Sequence, residues 1–194
     1  MEPIRAFIAI ELPSQIKAAL SQFQDNLRTS KNASVKWVGP EGIHLTLKFL
    51  GNVDEAEIPA LTKALSEAVR GVATFCLELG NPGAFPNPQA PRVVWVGVGG
   101  EIELLRALHN NIDLVLTPLG FPPEKRAFSP HLTLGRVREE ASPGERRRLG
   151  ENMASLKTEA KLSFKVDSLS LMRSKLTREG ALYSCLASFA LCGS

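Results

Sequence analysis

Histidine is scarce in this chain of 194 residues, numbering three, and cysteine is equally rare. Cys76, Cys185 and Cys192 are odd in number, widely spaced and set among apolar neighbours, which excludes a disulfide framework or a cysteine-rich zinc site. Buried free thiols in a reducing compartment are the expectation. Long unbroken hydrophobic runs are missing, which excludes a membrane-spanning helix. The start, Met1-Glu2-Pro3, lacks the basic residues and apolar stretch of a secretion signal, so a cytoplasmic protein with no membrane association is expected. Neither sign of charge dominates: 23 Lys and Arg against 20 Asp and Glu leave +3, which permits a polyanionic substrate without demanding one. A dinucleotide fingerprint is lacking too. Gly97-Val98-Gly99-Gly100 lies between a strand pattern and a helix pattern, but the third glycine of G-x-G-x-x-G would fall at Ile102.

What the chain does have is a tetrapeptide spelled twice. His44-Leu45-Thr46-Leu47 recurs letter for letter as His131-Leu132-Thr133-Leu134. Side chains alternate across a strand, so each copy puts two leucines on one face and a His/Thr pair on the other. The offset is 131 − 44 = 87 residues, and it also relates Arg5-Ala6-Phe7-Ile8-Ala9-Ile10 to Arg92-Val93-Val94-Trp95-Val96-Gly97. A period of that length, covering most of the chain twice, is an internal duplication rather than a solenoid. Two lobes about a pseudo-twofold axis would bring the two His-x-Thr strands together at one groove.

Read in order, Ile4–Ile10 has the pattern of a strand buried on both faces. A helix follows from Pro13, with Ile16, Leu20, Phe23 and Leu27 as its apolar stripe, and a polar loop over Thr29–Ala33. Val35–Val38 and Ile43–Leu50 read as strands, Asp54–Val69 as a helix and Phe75–Leu79 as a strand. The segment 81–91 holds four prolines and reads as a stiff, irregular rim loop where the first lobe hands over to the second. Arg92–Val98 is a strand, Glu101–Leu116 a helix, Phe128–Arg136 the second motif strand, and 142–156 a helix. Leu162–Met172 alternates as one long strand, Gly180 sits in a turn, and Ala181–Leu191 is the last strand. The fold class expected is α+β: one domain over 1–194, bilobal, with two β-α-β-β-α-β lobes and mixed or antiparallel sheets around a central cleft.

Two histidines with threonine at i+2 do not make a zinc or iron ligand set, so neither a metal nor another cofactor is expected. His109 falls inside a helix, where a partly exposed structural histidine is the plain reading. Arg146-Arg147-Arg148 has Glu145 and Glu151 beside it and reads as a solvated helix face. The His/His pair suits acid–base work on a phosphoryl group, because imidazole titrates near ~6.5 and one ring can be neutral while the other is charged. Threonine hydroxyls at i+2 would donate to the non-bridging oxygens.

The doubled motif resembles that of the two-histidine phosphoesterase superfamily, and within it the chain is most similar to the RNA 2′,3′-cyclic phosphodiesterases, historically called 2′-5′ RNA ligases. The likeness spans nearly the whole chain. It includes Arg5–Ile10, His44–Gly51, Pro91–Gly97, Pro130–Arg136 and the C-terminal Ser174, Leu176, Gly180 and Tyr183. The resemblance implies hydrolysis of a terminal 2′,3′-cyclic phosphate to a 2′-phosphate, with His44 as general acid and His131 as general base. It also implies a phosphate-binding role for Arg136. An odd separation from His131 would turn Arg136 to the wrong face of a straight strand, so a bulge at Gly135 is expected. The 87-residue offset maps Arg136 back to Phe49, an aromatic beside the cleft that can stack on a base, and Phe85 in the rim loop is a similar candidate.

RNA ends or small cyclic-phosphate nucleotides are therefore the expected partners, with no obligate protein partner evident and a monomer expected. Two other functions fit the same residues. One is 2′-5′ ligation, the reverse reaction, which excess water disfavours. The other is a nucleotide- or RNA-binding module that has lost catalysis, which the two intact motifs argue against.

Overall fold

The computed structural model describes residues 3–28, 35–156, 162–177 and 180–193. Strand β1 (Ile4–Glu11) is buried at every position from Ala6 to Ile10, as its unbroken apolar run requires. Helix α1 (Ser14–Arg28) buries Ile16, Leu20, Gln24 and Leu27. Gln24 takes the innermost place expected for Phe23 because its Nε2 donates to the carbonyls of Val38 and Leu134, both at 2.8 Å. The loop expected over Thr29–Ala33 lies outside the described residues. Next come β2 (Val35–Trp37), β3 (His44–Val53) and α2 (Ile58–Ala68), the last entered through a short turn capped reciprocally by Asp54 and Glu57. After β4 (Phe75–Phe85), β5 (Val93–Gly100), α3 (Ile102–Leu116) and β6 (His131–Val137), Ser142 and Glu145 form a second capping box at the start of α4 (Pro143–Ser155). Three strands close the chain: β7 (Ser163–Val166), β8 (Ser168–Leu176) and β9 (Ala181–Ala190).

The strands form one sheet in the order β7-β4-β5-β6-β3-β1-β8-β9, with β2 paired to β6. Among the described residues every pairing between these strands is antiparallel, which settles the choice between mixed and antiparallel sheets. The order reads symmetrically outward from the middle, where β6 and β3 meet at a single bridge, Leu45 to Leu132. The sheet divides there into two lobes, giving a bilobal α+β fold. The leucines of both motifs lie on the core side, Leu45, Leu132 and Leu134 at 0% exposure and Leu47 at 4%. Each such burial contributes about 1.5–3 kcal/mol.

Sequence halves and lobes are not the same thing. Strand β4, from the first half, pairs with β5 in the second lobe, and β8, from the second half, pairs with β1 in the first. The handover therefore precedes β4 rather than falling in the proline-rich segment. Residues 81–85 of that segment are strand, held to β5 in register from Pro82↔Val96 to Phe85↔Val93. Pro82 is admitted because the ladder slips between Leu79 and Pro82. The long strand expected over Leu162–Met172 breaks at Asp167, since β7 serves one lobe through β4 and β8 the other through β1. Among the described residues the second half also departs from β-α-β-β-α-β: it has no counterpart of β2 and ends in three strands.

The three cysteines are free but exposed, not buried. Cys76 points outward from β4 between buried Phe75 and Leu77, and the apolar neighbours that suggested burial occupy the opposite face. No helix among the described residues is long and apolar enough to cross a membrane.

Candidate active site

The single bridge at the centre of the sheet sets the site. With Leu45 opposite Leu132 in an antiparallel register, one step either way sets His44 beside Thr133 and Thr46 beside His131. All four side chains then share the face opposite the leucines. His44 and His131 are diagonal neighbours across this bridge, and such neighbours in an antiparallel ladder stand about 7–8 Å apart.

Both motif strands bulge at the same place. Along β1 and β3, Ala9 pairs with Thr46 and Ile8 with Lys48, so Leu47 is skipped. Along β5 and β6, Trp95 pairs with Thr133 and Val94 with Gly135, so Leu134 is skipped. The extra residue inverts the alternation, and Phe49 and Arg136 turn onto the cleft face beside the threonines. Glycine is not what permits this, because β3 carries Lys48 at the corresponding position. Gly135 answers a different need: a Cβ there would lie 2.8 Å from Val35 and 3.0 Å from the Trp37 ring on β2.

The cleft has two bays joined along Thr46, Phe49, Thr133 and Arg136. The first, of ≈ 310 Å³, contains His44 together with Arg5 and, among the described residues, has no carboxylate in its lining. The second, of ≈ 570 Å³, contains His131, Phe85, Arg126 and Glu124. The sequence-derived residues His44, Thr46, Phe49, Phe85, His131, Thr133 and Arg136 are thus gathered in one cleft.

Each imidazole is held by aromatic rings and by a backbone carbonyl two residues earlier. His44 stacks on Phe7 (4.7 Å between centroids) and meets the edge of Tyr183 (5.0 Å). A ring N–H of His44 donates to the backbone at Gly42, which favours the charged form, but burial outweighs it and lowers the pKa from 6.5 to about 4. Nearby Glu11 raises it and Lys17 lowers it, both by less. His131 meets the edge of Phe85 at 5.0 Å and lies 6.1 Å from Trp95. Its Nδ1 is 2.8 Å from the Ser129 carbonyl. A carbonyl only accepts, so Nδ1 carries the proton and Nε2 of the neutral ring has a free lone pair.

Phe7, Tyr183, Trp95 and Arg5 were not singled out in the sequence as site residues. β1 was read as buried on both faces, which leaves no cleft side on which to place Arg5 and Phe7. His109 is a half-buried helical histidine as expected, 14% exposed, stacked on Phe128 at 4.1 Å. It also reaches the edge of the second bay. Arg146 departs from a solvated helix face. Its guanidinium donates to the carbonyls of Pro91, Arg138, Glu139 and Ala141, while Arg147 pairs with Glu151 on the surface. No group of three or more His, Cys, Asp or Glu among the described residues could hold a metal ion.

The profile of the family described as "LigT like Phosphoesterase" matches this chain twice in tandem, over residues 10–95 and 96–183. The chain belongs to the LigT-like phosphoesterase family. The paired match divides the sequence close to where the 87-residue offset does. Among similar proteins, the RNA 2′,3′-cyclic phosphodiesterase of Methanothermobacter thermautotrophicus is 37% identical over 188 residues, covering 97% of this chain and 99% of that one. The protein of the same name from Aeropyrum pernix is 36% identical over 167 residues, 86% of this chain and 92% of its own. The bilobal fold has solved counterparts. A crystal structure from Thermus thermophilus aligns with a TM-score of 0.77 at 30% identity, covering 96% of this chain and 97% of that one. E. coli LigT complexed with 3′-AMP aligns at 0.71 and 26% identity, covering 98% of this chain and 99% of that one.

Proposed function

We propose that this phosphoesterase hydrolyses terminal 2′,3′-cyclic phosphates of RNA to 2′-phosphates, with His44 as general acid and His131 as general base and no metal ion. The observation that carries the proposal is the Leu45–Leu132 bridge, whose register supports a reading in which both histidines and both threonines serve one cleft. The names of the similar proteins support the substrate class.

His131 Nε2 takes a proton from water as the oxygen attacks phosphorus on the side away from O3′. The P–O3′ bond breaks, and His44 gives its proton to the departing oxygen. The strained five-membered ring supplies an activated ester. Thr46 and Thr133 donate hydrogen bonds to the non-bridging oxygens, and Arg136 faces their charge. Phe49, 61% exposed, has a ring face free for a base, whereas the edge contact between Phe85 and His131 makes Phe85 a positioning residue. A His44 pKa of about 4 leaves the ring of the empty site neutral near pH 7. The incoming phosphate anion favours imidazolium, raises that pKa and so charges the acid as substrate binds.

Ligation through the same site is the second reading, favoured by the size of the His131 bay. At ≈ 570 Å³ it has room for an alcohol acceptor as well as for water.

The deciding experiment is product analysis, with chelator present, after incubation with a short oligonucleotide ending in a 2′,3′-cyclic phosphate. A 2′-phosphate product supports the reading. A 3′-phosphate, or turnover that needs an added divalent ion, overturns it.

A further inference from the structure

The first bay continues into a groove of ≈ 520 Å³ between β2 and the paired ends of β8 and β9. Its volume lies in the range of about 300–1,000 Å³ typical of ligand sites. Bay and groove share Gly42, Arg136 and Tyr183 in their linings, so anything held against His44 has a direct way out between β2 and β9.

Resting on the reading that His44 protonates the departing O3′, we infer that this groove holds the RNA nucleotides on the 5′ side of the cyclic end. In-line displacement separates the two sides of the phosphate. Water approaches from the His131 side, and O3′ with its whole nucleoside lies on the His44 side. The chain attached to that nucleoside through O5′ must leave from the first bay, and the groove is the bay's continuation.

The lining suits a nucleic-acid strand. Lys36 of β2 is the register partner of Arg136 of β6, so two cations stand side by side at the junction of bay and groove. Neither forms an ion pair with a described residue. Among the described residues of the lining the one carboxylate, Glu41, is engaged by Lys17 at 2.7 Å. Apolar surface lies along the same wall. Leu176 and Leu182 are 66% and 62% exposed, unusual for leucine, and the Trp37 indole borders them. Cations beside exposed apolar and aromatic surface are what a single strand uses, through its phosphates and its unstacked bases.

The test compares kcat/KM for a 2′,3′-cyclic mononucleotide with that for di-, tri- and tetranucleotides ending in the same cyclic phosphate. The longer substrates should gain about tenfold or more, chiefly in KM, and the gain should level off within a few nucleotides. Lys36→Glu and Leu182→Asp should each reduce the ratio of oligonucleotide to mononucleotide kcat/KM about tenfold. Lys36→Glu should also flatten the rise of oligonucleotide KM with salt. Turnover of the mononucleotide by each variant shows that it is folded. A wild-type ratio near one, or a ratio that neither variant moves, overturns the groove while leaving the activity intact. Absence of turnover on every cyclic substrate overturns the activity, and the groove with it.

Discussion

Leu45 and Leu132 face each other across the single backbone bridge that joins the two motif strands. Both side chains are fully buried, so the pair that sets the register is anchored in the core beneath the cleft. Leu132→Ala should cost about 2–5 kcal/mol of stability by removing buried methyl groups and leaving a cavity. Denaturant unfolding should show the loss. At temperatures where the variant stays folded, kcat should fall more than affinity for product, because the bridge fixes the angle between the histidines and not the anion site alone.

Lys48 and Asp113 form a second long-range tie. The bulge that brings Phe49 to the cleft turns Lys48 inward to 3% exposure, where Nζ binds Asp113 Oδ1 and donates to the Pro122 carbonyl at 2.8 Å. Asp113→Ala would leave the ammonium buried without its partner and should cost about 3–5 kcal/mol. Lys48→Met together with Asp113→Leu removes both charges and should be much milder than Asp113→Ala alone. If the double variant is the less stable, the pair stabilises the fold beyond what apolar packing offers there.

The motif was legible because its two leucines need only the period of two, and Leu45 and Leu132 obey it. Helix α3 emerged within one residue of its expected limits because its apolar stripe repeats cleanly. Partner choice was not legible. Alternation states which face of β4 or β8 is buried, never which strand lies beside it, so the exchange of strands between lobes left no mark in the sequence. The break at Asp167 did leave a mark, since the apolar positions shift from Phe164 and Val166 in β7 to Leu169 and Leu171 in β8, a change of phase that the reading of one long strand overlooked. Arg136 was reached through the family resemblance together with a supposed bulge, and Phe49 by carrying Arg136 back along the offset. The bulge exists, but in both strands and without dependence on glycine. Phe7 and Trp95 belong to strands whose cleft faces are themselves largely covered, and such faces look like core.

The depressed pKa of His44 makes a prediction for stability. Its value is 6.5 in a solvated chain and about 4 in the fold, so folding favours the neutral ring. That contribution is fully present above pH 6.5 and is lost as pH falls through the range from 6.5 to 4, on the order of 3 kcal/mol. His44→Gln, which does not titrate, should lose less stability between pH 7 and pH 4. Urea midpoints for the two proteins across that range test it, and parallel curves would refute the assigned burial effect.

Anion binding should reverse the depression. With inorganic phosphate or a nucleoside 2′-phosphate in the first bay, the His44 pKa should rise above about 4, as read from its imidazole proton shifts by NMR. By linkage the anion binds most tightly below pH 4 so far as this ring is concerned. Its affinity falls as pH rises from there through the pKa of the complex. An unchanged His44 titration in the presence of bound anion would remove the ring from the phosphate site.

The division of labour between the motifs can be tested with the leaving group. Removing either histidine should lower kcat by about 10²–10⁴-fold, the usual span for a general acid or base. Thr46→Ala and Thr133→Ala should each cost less, since each deletes one hydrogen bond to the phosphoryl oxygens. Arg136→Ala should raise KM and lower kcat together, because its charge meets the phosphate before and during the reaction. A phosphodiester with a departing alcohol of low pKa needs little protonation, so it should restore much of the rate lost in His44→Ala. The same substrate should do nothing for His131→Ala, where the missing step is removal of a proton from water. The Ser129 carbonyl holds the proton on His131 Nδ1, which fits that ring for the base role. Equal rescue of both variants would exchange or dissolve the two roles while leaving the cleft and its register as they are.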